Sequence, residues 1–284
     1  MKASAFDYVR PTTLEQAIAL LAQHGSAAKL LAGGQSLLPA LNLRLSAPEL
    51  LIDISRLARL RGITLTETTL RIGALTPHAE VLASPLIATH APLLADALAH
   101  VAHPAIRTRG TFGGSLANAD PAAELPACVL ALQARLTAQG PNGARTIPAH
   151  SFFTGLFETA LSPDEILTHI EIDLTPHAVH GFQELARRTG DYAIIGLAAH
   201  GHMTADRFTD LRLAWFACGT KATLSPRAAA SLIAGSLNEA EAALAQDLEP
   251  HDDLQANAAT RLHLARVLLR RVTATLSPDR KHAA

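Results

Sequence analysis

The first regular pattern along the chain is helical. From Leu14 to Leu21, apolar side chains recur at every third or fourth position, which places them on one face of an α-helix. Thr12 and Glu15 have the spacing of a capping box, and Gly25 is suited to end the helix. We therefore predict an amphipathic helix between these two signals.

Short apolar runs predict strands elsewhere. Apolar and acidic side chains alternate from Ile170 to Leu174, as expected for a strand with one buried face. The predicted strands are 29–31, 50–54, 70–72, 166–174 and 211–217. Ser-Pro pairs are typical of helix starts. Ser84-Pro85 thus predicts a long helix to about His100, and residues 252–276 form the last predicted helix.

The chain divides into two parts. Its 284 residues exceed the usual length of one domain, and the composition changes after Pro176. We therefore predict domains at 1–176 and 177–284. The mixture of helices and separate strands indicates an α+β protein.

Two glycine loops share a short sequence. Gly33-Gly34-Gln35-Ser36-Leu37 is echoed by Gly113-Gly114-Ser115-Leu116. Because a Gly-Gly pair lacks two Cβ atoms, backbone N–H groups can approach an anion closely, and the serine adds a hydroxyl donor. Neither loop is Gly-x-Gly-x-x-Gly or a Walker A motif. The pattern by itself fits either two tight turns or a site for a phosphate-bearing ligand.

Composition excludes several classes of protein. Lys and Arg number 24 against 25 Asp and Glu, a net charge of −1, so no basic excess predicts a nucleic-acid surface. Cys128 and Cys218 are too few for an iron–sulfur cluster or a disulfide framework. No apolar run reaches the roughly 20 residues of a membrane span, and Met1 to Tyr8 lacks the apolar core of a secretory signal. We expect a cytoplasmic protein.

Histidine and arginine patterns offer further candidate sites. His200-Gly201-His202 has metal-ligand spacing but no cluster of cysteines or carboxylates beside it, so we predict no metal. On a strand, His200 and His202 would share a face that we expect to be exposed. The stripe Arg261, Arg266, Arg270 and Arg271 predicts a solvated face or a subunit contact.

The residues around both glycine loops resemble one family. The similarity runs from Lys29 to Pro39 and from His103 to Pro126, and it continues at 152–155, at 165–167 and from Arg187 to Ala193. The whole chain is similar to the FAD-binding medium subunit of molybdenum hydroxylases, the group of aerobic carbon monoxide dehydrogenase and xanthine dehydrogenase.

This resemblance implies the fold and the cofactor. The expected fold is an N-terminal FAD-binding domain of the vanillyl-alcohol-oxidase (PCMH) type with two α/β subdomains, followed by a C-terminal domain with a small antiparallel sheet and helices. FAD is expected to be non-covalent, because neither glycine loop contains the His through which some fold relatives attach flavin. Molybdopterin and [2Fe–2S] clusters are expected on a large and a small partner subunit, in a dimer of heterotrimers.

The resemblance also implies site residues. Backbone amides of 32–36 and 111–115 would surround the pyrophosphate, Asn118 would contact the diphosphate–ribityl region, and Glu124 would accept hydrogen bonds from a ribose. The implied cofactor residues are Lys29, Leu30, Leu31, Ala32, Gly33, Gly34, Gln35, Ser36, Leu37, Thr111, Phe112, Gly113, Gly114, Ser115, Asn118, Glu124, Ile166, Leu167 and Tyr192.

Some of these roles have structural alternatives. Ile166 and Leu167 would offer backbone contacts near the adenine or flavin edge. Tyr192 would lie over the isoalloxazine ring, or else be a core tyrosine. Glu124 could instead be a charge at a helix N-terminus, and Lys29 a solvated lysine.

One position departs from the family pattern. Glu184 stands where many relatives carry a lysine, so this chain lacks that cationic contact to flavin or acceptor.

The implied function is electron transfer. The chain would accept electrons from the [2Fe–2S] clusters of the small subunit and pass them to an external acceptor, with no side chain acting as general acid or base. Two alternatives remain. A free-standing FAD-dependent oxidoreductase would need a catalytic base over the flavin, and an assembly subunit without flavin would not need intact loops.

Overall fold

A computed structural model describes residues 2–276. The strands are β1 (Asp7–Val9), β2 (Ala28–Leu31), β3 (Leu50–Asp53), β4 (Ile63–Leu65), β5 (Thr69–Gly73), β6 (Arg135–Gly140), β7 (Gly143–Pro148), β8 (Phe153–Gly155), β9 (Glu158–Thr159), β10 (Ile166–Asp173), β11 (Val179–Ala186), β12 (Ala193–Thr204), β13 (Arg207–Phe216) and β14 (Thr223–Leu224). The α-helices are α1 (Leu14–His24), α2 (Leu37–Asn42), α3 (His78–Ala83), α4 (Pro85–His90), α5 (Pro92–His100), α6 (Pro104–Arg107), α7 (Phe112–Asn118), α8 (Glu124–Ala131), α9 (Ala149–Phe152), α10 (Pro226–Ile233), α11 (Leu237–Asp247) and α12 (Ala258–Leu276).

A small parallel sheet opens the fold. Its strands lie in the order β1-β3-β2, with α1 packed against them. Ala17, Ile18 and Leu21 of α1 share a buried cluster with Leu50 and Ile52 of β3. The apolar face predicted for the first helix therefore covers this sheet.

The second sheet is antiparallel, in the order β4-β5-β10-β6-β7. Its inner face packs with α7 and α8 in a large core that contains Phe112, Leu125 and Ile170. Ile166, the first residue of β10, joins the core of the parallel sheet instead, and so links the two sheets.

The third sheet has the strand order β11-β12-β13-β14 and lies between two hydrophobic cores. Successive side chains of a strand point to opposite faces of a sheet, so its residues contribute alternately to the two cores. Ala198 and Phe216 face α5 and α8 in the core of the second sheet. Leu197, Leu213 and Trp215 face the opposite way, toward α10 and α12. The expected α+β fold, with a small antiparallel sheet and helices at the C-terminal end, is confirmed.

Element boundaries differ from the predictions where prolines and caps intervene. The helix predicted from Ser84-Pro85 to about His100 is two helices, because Pro92 has no N–H to continue the ladder. Thr13, not Thr12, caps α1 and accepts a hydrogen bond from the backbone of Gln16. The last helix begins at Ala258, whose N–H is bound by the carboxylate of Asp252 at 2.7 Å.

Within residues 2–276, none of the helices combines the length and the apolar character that a membrane crossing requires.

Candidate cofactor site

The two glycine loops lie against each other. We call Ala32–Ser36 the first loop and Thr111–Ser115 the second loop. A Cβ atom added to Gly33 would lie 2.2 Å from the carbonyl oxygen of Arg109 and 2.8 Å from Cα of Gly110. One added to Gly114 would lie 3.9 Å from Cβ of Ala32. The resemblance between the loops in sequence is thus matched by contact in space.

The first loop presents free backbone donors. Among residues 2–276, no acceptor binds any of the N–H groups from Ala32 to Ser36, and these residues are half-buried or exposed. Gly34 has φ +73°, a left-handed conformation that glycine adopts without strain. Successive amides that turn through such a residue form a concave site for an anion. The side chain of Gln35 is used internally, since its Nε2 donates to the carbonyl of Gly33.

Most amides of the second loop are already used. Phe112 N–H donates to the carbonyl of Thr76, and Gly113 N–H to that of Ala74. Gly114 N–H donates to the hydroxyl of Thr111, the N-cap of α7, at 3.1 Å. Ser115 N–H completes the turn on the carbonyl of Thr111. The backbone of the second loop is therefore a fixed wall, against which the donors of the first loop are placed.

Several predicted residues are buried through their side chains. Phe112, Ile166 and Leu167 contribute to the core, so their side chains are not accessible to a ligand. Lys29 is exposed on β2, and Asn118 is half-buried at the end of α7. Leu30, Leu31 and Leu37 are half-buried beside the first loop.

Tyr192 directly precedes β12 of the third sheet. The residue is 59% exposed, which contradicts the alternative of a core tyrosine. The loop before it is seated on the chain between α5 and α6, where a Cβ on Gly190 would lie 2.8 Å from the carbonyl of Ala102. Burial, and then the charges of Asp120 and Glu124, raise the pKa of the Tyr192 phenol. The tyrosine therefore lies close to the start of α8.

Glu124 is the first residue of α8, the position that the alternative of a charge at a helix N-terminus requires. Its surroundings, however, disfavour the charged form of the carboxyl. Burial, together with the charges of Glu184 and Asp120, raises the pKa of Glu124 to about 8. The site thus holds a carboxyl group that keeps its proton near neutral pH. Such perturbed groups concentrate at functional sites.

Glu184 lies on β11, on the face that meets α5 and α8. Its Oε1 is 3.3 Å from Nδ1 of His100, and its side chain is only 5% exposed. The other oxygen, Oε2, is buried and has no hydrogen-bond partner among residues 2–276. Burial raises the pKa of this carboxyl as well.

His200 of the third sheet is held by hydrogen bonds to neighbouring side chains. His200 is buried, which contradicts the expected exposed face. Its Nδ1 accepts from Arg212 at 2.9 Å, and its Nε2 lies 3.2 Å from the hydroxyl of Thr175. In the described part of the chain, no group of three or more His, Cys, Asp or Glu side chains could hold a metal ion.

Family models match nearly all of the chain. Residues 4–175 match the FAD binding domain in molybdopterin dehydrogenase, and residues 180–276 match the CO dehydrogenase flavoprotein C-terminal domain. The chain belongs to this family. It is an FAD-binding medium subunit of the molybdenum hydroxylases and thus part of an oxidoreductase.

The medium subunit has full-length relatives. It is 40% identical over 283 residues to the 6-hydroxypseudooxynicotine dehydrogenase complex subunit alpha of Paenarthrobacter nicotinovorans, with 96% of this chain and 95% of that protein covered. It is 40% identical over 210 residues to the carbon monoxide dehydrogenase medium chain of Hydrogenophaga pseudoflava, with 74% and 73% covered.

Solved structures agree with this assignment. The carbon monoxide dehydrogenase of Hydrogenophaga pseudoflava superposes with a TM-score of 0.95 at 35% identity, covering 97% of this chain and 98% of that one. Quinoline 2-oxidoreductase from Pseudomonas putida 86 gives a TM-score of 0.92 at 36% identity, with 97% and 98% covered.

The residues of the medium subunit fit FAD on structural grounds of their own. A row of free amides suits the diphosphate, and a half-buried carboxyl suits a sugar hydroxyl. Sequence reasoning missed the layer beneath the second loop. There the N–H of His78 donates to the carbonyl of Gly110, and Ala74 and Thr76 accept from α7. The sequence signals this layer only by the Thr76-Pro77 pair, since proline after threonine is typical of a helix start.

Proposed function

We propose that this medium subunit binds FAD between the two glycine loops and passes electrons from iron–sulfur clusters of a partner to an external acceptor. The observation that carries the proposal is the contact of the two loops, with the unpaired amides of the first loop beside the fixed wall of the second. The site residues implied by the family resemblance are proposed as its cofactor contacts.

Each part of the chain has a distinct task in this proposal. When bound, FAD accepts and releases electrons, and the protein positions it and sets its environment. The amides of Ala32 to Ser36 bind the diphosphate, and Glu124 binds a ribose hydroxyl. Tyr192, exposed at the site, covers the isoalloxazine ring and excludes water. No side chain is required to act as a general acid or base.

The partners follow from the names of the relatives. Those proteins are a complex subunit alpha, medium chains and a medium subunit. We propose that this chain assembles with a large molybdopterin-binding subunit and a small [2Fe–2S] subunit as a dimer of heterotrimers. We also propose that residues 1–176 form the FAD-binding domain and 177–284 the C-terminal domain. The cytoplasmic location stays a prediction of the sequence.

The first test is FAD binding by the full chain. We expect added FAD to lose fluorescence in an equimolar complex and to return to the supernatant, unmodified, after heat denaturation. FAD that stays with the denatured chain would contradict non-covalent binding. A chain that takes up no FAD, alone or with its partners, would favour the assembly subunit without flavin.

The second test separates electron transfer from an independent oxidase. The affinity-purified complex is reduced with dithionite under argon and mixed with NAD, a quinone, a cytochrome or oxygen in a stopped-flow instrument. We expect the iron–sulfur absorbance to recover through the flavin with one of these acceptors. Complex depleted of FAD should recover far more slowly. Equal recovery without FAD would contradict the proposal.

A further inference from the structure

Glu184 combines deep burial with an unsatisfied atom. Its side chain is 5% exposed, and Oε2 has no hydrogen-bond donor in the described chain. A buried polar atom without a partner destabilises the folded chain, and it does so more strongly when it is charged. Such a cost persists in folded proteins where a ligand relieves it or a function requires it.

The surroundings of Glu184 supply one partner and several like charges. On α5, His100 meets Oε1 at 3.3 Å, and Asp96 lies one turn earlier, paired with His180 at 3.4 Å. From α8 and the turn before it, Glu124, Cys128 and Asp120 add only acidic or neutral groups. On its own sheet, Phe182 stacks on Phe216, with ring centroids 5.7 Å apart. Within residues 2–276, none of these groups therefore donates a hydrogen bond to Oε2 of Glu184.

Hydrogen-bond chemistry selects which part of FAD could meet this carboxyl. Oε2 needs a donor, whereas the diphosphate only accepts hydrogen bonds and has the free amides of the first loop as its donors. The remaining donors of FAD are the hydroxyls of its ribose and ribityl chain and the N–H groups of its rings. These are the groups that a carboxyl oxygen binds.

We propose that Glu184 is a cofactor contact of this subunit, with Oε2 hydrogen-bonded to a hydroxyl or N–H group of FAD beside Glu124. This inference rests on the proposed binding of FAD between the two loops.

The test compares FAD affinity with stability in the FAD-free chain. E184M keeps the length of the side chain and removes both oxygens, and E184Q keeps hydrogen bonding. We expect E184M to weaken FAD binding about 10- to 100-fold, the usual effect of one hydrogen bond to a charged group. We expect E184Q to stay within about threefold of the wild type. The FAD-free melting temperature of E184M should equal or exceed that of the wild type, because the unsatisfied oxygen is gone.

The matched control is D96N, which also removes a carboxylate from the interface between α5 and the third sheet. Unlike Oε2 of Glu184, the carboxylate of Asp96 already has a partner, His180. It should leave FAD affinity unchanged. If E184M does not fold, E184A takes its place. Competition by ADP and by FMN then shows which half of the cofactor loses affinity, and either result supports the contact.

Two results would overturn the inference. One is wild-type affinity for FAD in E184M. The other is a parallel loss of affinity and of FAD-free melting temperature in both E184M and E184Q, which would indicate a purely structural role. If the wild-type chain itself fails to bind FAD, the proposed function fails instead.

Discussion

Gly33 and Arg109 lie in contact through their backbones, although 75 residues separate them along the chain. No Cβ can be accommodated at Gly33, because it would overlap the carbonyl oxygen of Arg109 at 2.2 Å. This contact sets the distance between the free amides of the first loop and the fixed second loop. The geometry of the proposed diphosphate site therefore depends on the absence of one side chain.

Gly33→Ala should separate the two loops. We expect FAD affinity to fall at least about tenfold and the free energy of unfolding to fall by about 1–3 kcal/mol, since overpacking shifts the backbone. Fluorescence titration with FAD and urea denaturation measure the two effects. Gly219→Ala is the control, because its Cβ would be in ordinary contact at 3.5 Å from the carbonyl of Glu249. Equal FAD affinity in the two variants would show that the loop contact does not shape the site.

Tyr192→Ala should expose the bound cofactor. The exposed ring, near Asp120 and Glu124, is proposed to cover the isoalloxazine. We expect iodide to quench the remaining flavin fluorescence more strongly in the variant and FAD affinity to fall about three- to tenfold. Tyr192→Phe keeps the ring and should behave like the wild type. Unchanged quenching in Tyr192→Ala would place the ring away from the flavin.

Glu124 makes the FAD-free chain less stable as the pH rises from about 4.5 to about 8. Its pKa is about 8 in the folded chain against an ordinary value of 4.5, so between these values the folded state holds a proton that the unfolded state releases. Stability from this group is full below about 4.5 and is lost as the pH rises toward 8. Glu124→Gln should therefore be the more stable protein at pH 8, by on the order of 1–3 kcal/mol. Urea denaturation from pH 5 to 8 measures this, with the exposed Glu67→Gln as control.

His200, unlike Glu124, makes the chain less stable as the pH falls. Because a guanidinium only donates, Nδ1 of His200 must accept from Arg212, and Nε2 carries the proton toward Thr175. Burial and the charge of Arg212 lower the pKa of His200 to about 4, from an ordinary 6.5. Its contribution to stability is present above 6.5 and is lost as the pH falls toward 4.

His200→Gln should flatten that loss, because the amide can accept from Arg212 and donate to Thr175 without titrating. We expect the gap between the unfolding free energies at pH 7 and pH 4.5 to shrink by on the order of 1–3 kcal/mol. His263→Gln, at an exposed position of α12, serves as the control. An unchanged gap would contradict the buried neutral histidine.

Arg261 ties the start of α12 to the third sheet. Its Nε donates to the carbonyls of Ile194 and Ala217, and its Nη2 to Asp253 at 2.6 Å. Arg261→Met would leave these acceptors unsatisfied, and we expect it to cost about 3 kcal/mol or more. Arg271→Met, at an exposed position of the same helix, should change stability by less than about 0.5 kcal/mol. Thermal unfolding of both variants tests the difference.

Arg261 also shows where sequence patterns lose information. Periodicity placed it in one stripe with Arg266, Arg270 and Arg271, and predicted a solvated or intersubunit face. The structure buries Arg261 and leaves Arg270 and Arg271 exposed. A stripe records helical spacing, but which end of the helix another segment covers depends on residues far away in the chain.

By itself, the sequence determined the features that are local. Apolar spacing in Leu14 to Leu21 and alternation in Ile170 to Leu174 fix which faces are buried, since burial of apolar area follows the backbone period. The glycine loops and their flanks determined the family and its FAD-binding role, because residues without Cβ are needed wherever backbone must approach a ligand.

Only the tertiary structure decided which polar groups remain free. Both loops have the same types of donor, yet Ala74, Thr76 and Thr111 accept hydrogen bonds from the second loop, whereas the amides of the first loop have no acceptor within residues 2–276. Likewise, Glu184 differs from a surface glutamate only because α5 and α8 close over it. Whether a donor, an acceptor or a charge is satisfied depends on which distant segments pack against it, and local spacing carries no record of that.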